Sequence, residues 1–328
     1  MASKRIKLNM LTICTHSGSF HADESLAVYL LRLLPEYKDA KLIRSRKEQD
    51  WDNSDIVVDV SGKYDGVKYF DHHQREFNTT FEGYSTKLSS AGLIYKHFGK
   101  KIIETVLPNL GQSYIDLLYD KMYREFIESL DANDNGISQY DQEVTPKFAD
   151  KNITLPSIIS KLNPGWETDA KDEDFDRQFL VASDLIGNVF LNLLKNYGSW
   201  INAKSIVQQA FDERNNVHES GSIIVLSRFC PWKEHLYDIE EKAGCSGVVK
   251  FVLFKDSSDK WRVSTVSTTA TSFEFRQGLR EEWRGLRDEE LSTKAGIPGC
   301  IFVHAAGFIG GANTENAVME LAKKSLIN

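Results

Sequence analysis

Three short runs of apolar and β-branched residues early in the chain each stop at histidine or aspartate, and this recurrence limits the possible folds more than any other feature. Met10-Leu-Thr-Ile-Cys-Thr leads into His16-Ser-Gly-Ser-Phe-His-Ala-Asp-Glu, Ile56-Val-Val ends at Asp59, and Val67-Lys-Tyr-Phe ends at Asp71-His-His. Between the first two lie residues 25–34, rich in helix formers and stopped by Pro35, and a further candidate strand, Lys41-Leu-Ile-Arg. The run Ile56-Val-Val is apolar enough to be buried on both faces, as strands of parallel sheets are. Strands alternating with helices predict an α/β layer architecture, and open α/β sheets build their sites at the C-terminal strand ends.

The remaining chain continues the α/β pattern. Residues 88–130 read as helical, with Tyr114, Leu117, Leu118, Met122 and Phe126 near i, i+3, i+4 spacing. Composition shifts at 141–177, where Pro146, Pro156 and Pro164 precede the acidic run from Asp169 to Asp176, so a linker or docking segment is expected. A helix over Phe179–Leu194 and a separate one over Trp200–Phe211 are expected next. Strands follow at Ser222-Ile-Ile-Val-Leu, Val248-Val-Lys-Phe-Val-Leu-Phe, Trp261-Arg-Val-Ser-Thr-Val and Gly299-Cys-Ile-Phe-Val-His. The last is expected to run into a Gly-rich turn, Gly307-Phe-Ile-Gly310-Gly311, and then a helix from about residue 313. With 328 residues, more than a typical single domain, the chain divides into residues 1–140, a linker and helical segment at 141–215, and a second α/β domain at 216–328.

Hydrophobic residues at 41% and charged residues at 27% exclude a disordered chain, and no apolar stretch reaches the roughly 20 residues of a spanning helix. A net charge of -7 is the wrong sign for coating nucleic acid through the overall field, although a local basic groove is compatible with it. Cys14, Cys230, Cys245 and Cys300 are scattered without a C-x-x-C pair, so no thiolate zinc site or disulfide framework is indicated. A reducing compartment fits: cytoplasm, with the nucleus open and no mitochondrial presequence evident at the N-terminus.

Each strand end alone has a plain structural explanation, since Asp23 can cap a helix and Glu24 suits its dipole. Together they do not. Buried carboxylates are costly to keep ionised, so imidazoles and carboxylates converging from three strand ends point to bound metal. A fourth contribution is Asp131-Ala-Asn-Asp134-Asn-Gly, where a long helix runs into an acidic turn. Nitrogen and carboxylate donors without thiolates suit Mn²⁺, with Mg²⁺, Co²⁺ or Zn²⁺ as possible occupants. The donors are too many for one ion. A dinuclear centre sharing a carboxylate such as Asp59 would activate water at neutral pH and clamp a phosphoryl group, which leads to phosphoester or phosphoanhydride hydrolysis.

His16, His21-Ala-Asp23, Asp59, Asp71-His-His and a following aspartate resemble the four motifs of the DHH phosphoesterase superfamily. More closely, Thr15-His-Ser-Gly-Ser-Phe-His-Ala-Asp-Glu, Tyr69-Phe-Asp-His-His-Gln-Arg, Lys87-Leu-Ser-Ser-Ala-Gly-Leu-Ile-Tyr, Asp134-Asn-Gly-Ile-Ser, Cys230-Pro-Trp-Lys-Glu-His-Leu and Ile297-Pro-Gly-Cys-Ile-Phe-Val-His resemble the melanocyte proliferating gene (Myg) family over nearly the whole chain. The resemblance implies a two-lobed protein, with a DHH-like, parallel-sheet metal-binding N-terminal domain and an α/β C-terminal domain for substrate. It implies a 3′-to-5′ exonuclease acting on single-stranded RNA. His16, His21, Asp23, Asp59 and His72 would be metal ligands with Asp59 bridging, and Asp131 or Asp134 would complete the set. His73 would face the substrate phosphate, and Asp71 would orient an imidazole.

The chain departs from the superfamily pattern twice. The first motif has His21-Ala-Asp23 in place of Asp-x-Asp, and Gly310-Gly311-Ala stands where Gly-Gly-His is usual. His304 is a candidate for part of the missing imidazole's work. Gly310 and Gly311 are candidates for presenting backbone N–H groups to a phosphate. Arg228, Lys233, Arg262 and Arg276 could bind a phosphate backbone, with Trp232 or Trp261 as a stacking platform. The competing readings are a small-molecule phosphohydrolase acting on pyrophosphate or a short or cyclic dinucleotide, and a non-catalytic binding protein.

Overall fold

β1 (Thr12–Thr15) is followed by α1 (Ala22–Arg32), β2 (Lys41–Arg44), α2 (Glu48–Asp52), β3 (Ile56–Val58) and β4 (Tyr69–Phe70). In this computed structural model, which describes residues 10–141, 145–269 and 271–326, these strands form one sheet in the order β2-β1-β3-β4, every pair parallel. β1 lies between β2 and β3, so the strand order reverses there and a crevice opens at the β1 and β3 C-termini. Burial explains the run of apolar residues: Ile13, Cys14, Ile56, Val57 and Val58 are fully buried.

The helices that follow are α3 (Ser90–Val106), α4 (Gln112–Met122), a π-helical turn at Tyr123–Ile127, α5 (Glu128–Asp134) and α6 (Leu155–Ser160). α7 spans Asp172–Asp212 without a break, in place of the two helices expected on either side of residues 195–199. Its glycines are sites of close packing: a Cβ at Gly187 would overlap the Tyr29 ring, and one at Gly198 would sit 2.8 Å from both Leu107 methyls. Helix propensity favours a break there, but packing overrides a cost of roughly 1 kcal/mol per glycine. The chain divides into two compact units, residues 1–198 and 199–328, with the division inside α7. Residues 141–215 thus contribute to both.

The second unit contains α8 (Arg214–Val217), β5 (Ile223–Val225), α9 (Lys233–Lys242), β6 (Phe251–Lys255), β7 (Trp261–Thr265), α10 (Asp288–Ala295), β8 (Cys300–Val303), β9 (Ile309–Ala312) and α11 (Glu315–Leu326). Its sheet runs β5-β6-β7-β9-β8, parallel between β5 and β6 and antiparallel elsewhere. Phe251 and Leu253 face a core closed by Leu291 of α10 and Leu321 of α11; Val252 and Phe254 face another closed by Val207 and Leu236. This period-2 alternation places an apolar layer on both sides. Both units are α/β, as the strand-helix alternation predicts.

The end of the chain differs from expectation. Gly310 and Gly311 lie not in a turn before a helix but in β9, where Gly311 faces Arg262 of β7 and Phe302 of β8, and Gly310 faces Val263 and Val303. β9 is an interior strand, so its backbone is committed to ladders on both sides and is not available to a phosphate. The turn lies earlier, at His304–Phe308, with Gly307 at φ 73°. Among the described residues no helix is long and apolar enough to cross a membrane.

Candidate metal centre

The parallel register Thr15↔Arg44 sets the loop after β1 beside the loop after β2. Arg44 fixes the first loop from below: its guanidinium donates to the Gly18 carbonyl (2.7 Å), pairs with Asp176 (2.9 Å) and lies over the Phe179 ring. Asn163 bonds both the N–H and the carbonyl of Phe20 at 2.9 Å, tying the loop to the segment after α6. His16 leaves β1 buried, and His21 occupies the N-cap of α1.

Asp59 follows β3 with φ 56°, the left-handed region that costs a non-glycine residue about 1 kcal/mol or more. This conformation turns a carboxylate that is only 6% exposed into the crevice. Its Oδ2 lies 3.6 Å from His16 Nε2, and its Oδ1 lies 3.7 Å from His72 Nε2 and accepts from Ser90 Oγ at 3.1 Å. His72 Nε2 is also 3.0 Å from Asp134 Oδ2, yet the approach is not hydrogen-bond geometry, and both ring nitrogens of this buried imidazole lack a partner. Two unsatisfied buried nitrogens are expensive and fit a ring poised to bind a cation.

Asp23 is held by the N-terminus of α3. Its Oδ1 lies 2.7 Å from Ser89 Oγ and accepts the Ala91 N–H at 2.5 Å, while Oδ2 accepts the Ser90 N–H at 3.1 Å. Burial, then the neighbouring Asp59 and Asp134 carboxylates, push its carboxyl well above the ordinary range. Burial likewise raises Asp59, against the opposing pull of His16. Burial opposes charge on His16, but the facing Asp59 and Glu24 carboxylates outweigh it and hold this imidazole up at about 9. The pocket thus concentrates negative charge that needs a cation.

His73 is exposed and donor-ready. The Asp71 carboxylate accepts at 2.7 Å from its Nδ1 and at 3.0 Å from its backbone N–H, and also accepts the Gly62 N–H at 2.6 Å. The Asp71 hydrogen bond raises the His73 pKa despite partial burial. Asp71 itself is lowered: burial works upward, but the bonds from His73 and Gly62 prevail.

Three overlapping donor groups have the composition and spacing of a cation site: His16 with His21, Glu24 and Asp59; Asp59 with His72 and His73; and Asp23 with His72 and Asp134. Within each group the donor atoms lie within 4.8 Å of one another, and the middle group joins the outer two. The imidazole and carboxylate chemistry fits divalent ions such as Mn²⁺. Asp131 does not join. It is fully buried, its Oδ1 accepts the Ser89 N–H (2.9 Å) and lies 2.7 Å from Ser89 Oγ, and its Oδ2 accepts from Tyr123 (3.1 Å). Burial, only partly offset by those donors, raises its carboxyl to about 7. Three residues along the same helix, Asp134 faces the crevice instead.

The site opens into a cavity of about 880 Å³ lined by His16, His21, Asp59, His73 and Asp134 and, from residues that sequence reasoning missed, by Arg46 and Lys151. Arg46 donates to the Ser17 carbonyl at 3.2 Å and lies 3.2 Å from His16 Nδ1. Glu24 was also missed; the spacing from the N-cap at His21 to a glutamate three residues on was its available signal.

The candidates in the second unit divide. Arg228 and Lys233 are exposed, and His304 is exposed on the β8–β9 turn, its Nδ1 accepting the Ala306 N–H at 3.1 Å. Arg262 pairs with Asp256 at 2.5 Å and lies over the Phe302 ring. Arg276 is buried against Glu240, with contacts of 2.8 and 2.9 Å, and donates to the Val249 carbonyl, so it is a core ion pair and not a phosphate ligand. Trp232 is 4% exposed within the core and Trp261 packs on the other core, so neither is an open stacking platform.

Residues 12–326 match a family model, MYG1_exonuc, described as an uncharacterised protein family (UPF0160). A MYG1 protein of Saccharomyces cerevisiae is 62% identical over 98% of this chain and 98% of its own length. A MYG1 protein of Schizosaccharomyces pombe is 48% identical over 97% and 98%, and the MYG1 exonuclease of Homo sapiens is 45% identical over 96% and 85%.

Proposed function

The chain belongs to the MYG1 family (UPF0160), and from that premise we propose that it is a metal-dependent phosphoesterase, a 3′-to-5′ exonuclease on single-stranded RNA. The observation that carries the reading is the convergence of His16, Asp59, His72 and Asp134 in one buried crevice, with an imidazole at its centre that no protein group satisfies. The name of the human relative, MYG1 exonuclease, supports a nuclease.

His16, His21 and Asp59 would hold one cation and Asp23, His72 and Asp134 a second, with Asp59 shared. Bound there, divalent ions supply Lewis-acid activation of water and neutralise charge on phosphoryl oxygens. The protein's own groups do the positioning. Asp71 fixes the His73 ring through Nδ1 and favours its protonated form, which leaves Nε2–H to donate to a phosphate oxygen at the cavity wall. Arg46 and Lys151 add positive charge on the same wall, which gives an acidic chain a local place for a phosphodiester. The α3 N-terminus keeps Asp23 aimed inward. Within the second unit Arg228, Lys233 and His304 are exposed polar groups of the kind that can contact a phosphate backbone. The free cysteines accord with work in the cytoplasm or nucleus.

The test is metal-stripped protein, reloaded with Mn²⁺ or Mg²⁺, on end-labelled single-stranded RNA, matched DNA, duplex RNA and pyrophosphate. A metal-dependent ladder shortening from the RNA 3′ end is expected. Phosphate release from pyrophosphate with no shortening of polymer would move the function to small-molecule hydrolysis.

A further inference from the structure

The outer donor group of His16, His21, Glu24 and Asp59 is short of negative charge. Neutral imidazoles bring none, and Asp59 is shared with the His72 group. Glu24 is the remaining anion. It is fully buried in the first turn of α1, and its two oxygens differ. Oε1 accepts the His21 N–H at 2.8 Å and lies 2.9 Å from His16 Nε2. Oε2 is buried with no hydrogen-bond partner.

A glutamate three residues after an N-cap usually serves only to bond back to the N-cap amide, on the helix surface. That duty accounts for Oε1 and for neither the complete burial nor the idle second oxygen. The His16 ring offsets charge at Oε1, but Oε2 stays buried with no donor, a cost that a cation bound at the group would relieve. The capping bond also explains the aim, since it folds the side chain back over the His16–His21 loop and away from solvent. The 2.9 Å between Oε1 and His16 Nε2 sets this carboxylate beside another donor of the group, a spacing that suits neighbours around an ion with bonds of roughly 2.1 Å.

We propose that Glu24 is an anionic ligand of the cation held by His16, His21 and Asp59, contributing through its carboxylate the negative charge that the two imidazoles lack. The inference rests on the metal-centre reading above. A carboxylate added to two nitrogens shifts the site toward Mn²⁺ and Mg²⁺ and away from softer ions.

The experiment is calorimetric titration of the metal-stripped full chain with Mn²⁺, with folding checked by thermal melting. Glu24→Gln keeps an oxygen to accept the His21 N–H but removes the charge. It should weaken one Mn²⁺ equivalent at least about tenfold and leave the other unchanged. Asp134→Asn should weaken the other equivalent, which tells the two apart. The double variant His21→Asp/Glu24→Gln returns an anion to the same cluster and should recover the lost affinity, whereas a purely structural Glu24 would not be rescued. Wild-type affinity for both equivalents in Glu24→Gln, or no recovery in a folded double variant, overturns the role of Glu24 alone. A wild-type chain that takes up no Mn²⁺ overturns the metal centre, and the Glu24 role with it.

Discussion

Asp131 and Asp134 share one helix three residues apart, and the geometry separates their roles sharply enough for a decisive substitution pair. Asp131→Ala removes the acceptor of the buried Ser89 N–H and Tyr123 O–H. At roughly 1–3 kcal/mol for each stranded donor, the loss is about 2–6 kcal/mol. For a unit of this size each kcal/mol lowers Tm by roughly 2–4 °C, so a fall of about 10 °C is expected. Asp131→Asn keeps one oxygen for Ser89 and offers its amide to the Tyr123 hydroxyl, and should stay within about 1 kcal/mol of wild type. Both variants keep both metal equivalents. Asp134→Asn should melt like wild type, because its carboxylate is partly exposed, but lose affinity for one Mn²⁺. A Cβ at Gly92 would overlap the Asp131 carboxylate, so Gly92→Ala should destabilise the wild type more than it does the Asp131→Ala background. The assays are thermal denaturation of metal-free protein and Mn²⁺ titration. Asp131→Asn losing an equivalent while Asp134→Asn keeps both would refute the assignment.

In metal-free protein the folded-state pKa of His16 stands at about 9, above its unfolded value, so its contribution is full below about pH 6.5 and disappears as pH rises through 9. At 1.36 kcal/mol per unit that is roughly 3 kcal/mol, and a metal-free Tm flat between pH 6.5 and 9.5 would contradict it. Because binding must displace that proton, Mn²⁺ affinity should rise with pH over the same range, as titration in buffers of different pH would read. Arg276→Ala should cost about 3–5 kcal/mol by stranding the fully buried Glu240, with RNA affinity of the folded fraction unchanged; a selective loss of RNA binding would restore Arg276 as a phosphate ligand. In β9, a Cβ at Gly311 would stand 2.5 Å from Arg262 Nη1 and 2.9 Å from the Phe302 ring, so Gly311→Ala should cost about 1–3 kcal/mol in urea denaturation, and wild-type stability would refute that packing.

The site was legible in the sequence to the extent that its logic is local. His16, Asp59 and His72 each stand just past a short apolar strand, and strand ends are where such sheets place their polar groups. The rest depends on long-range partners. Arg276 reads as surface charge because its partner, Glu240, lies 36 residues earlier. Arg46 enters the cavity only through the pairing of β1 with β2, which no spacing reveals. The choice between Asp131 and Asp134, which share a helix face, turns on distant partners: Ser89, 42 residues earlier, closes over Asp131, while Asp134 lines the cavity near His72. Gly310 and Gly311 mimic a turn because glycine is a turn former, whereas here the missing side chains make room for Leu279 and Val263 at Gly310 and for Arg262 and Phe302 at Gly311.

The central claim is that Asp59 joins two cations in one phosphoesterase centre. Asp59→Asn tests it directly, because asparagine tolerates the φ of 56° and has nearly the same shape but no charge. Hydrolysis of end-labelled single-stranded RNA at saturating Mn²⁺ should fall to background in a variant that melts as the wild type does. Substantial turnover by folded Asp59→Asn would contradict the shared-ligand centre and the mechanism built on it.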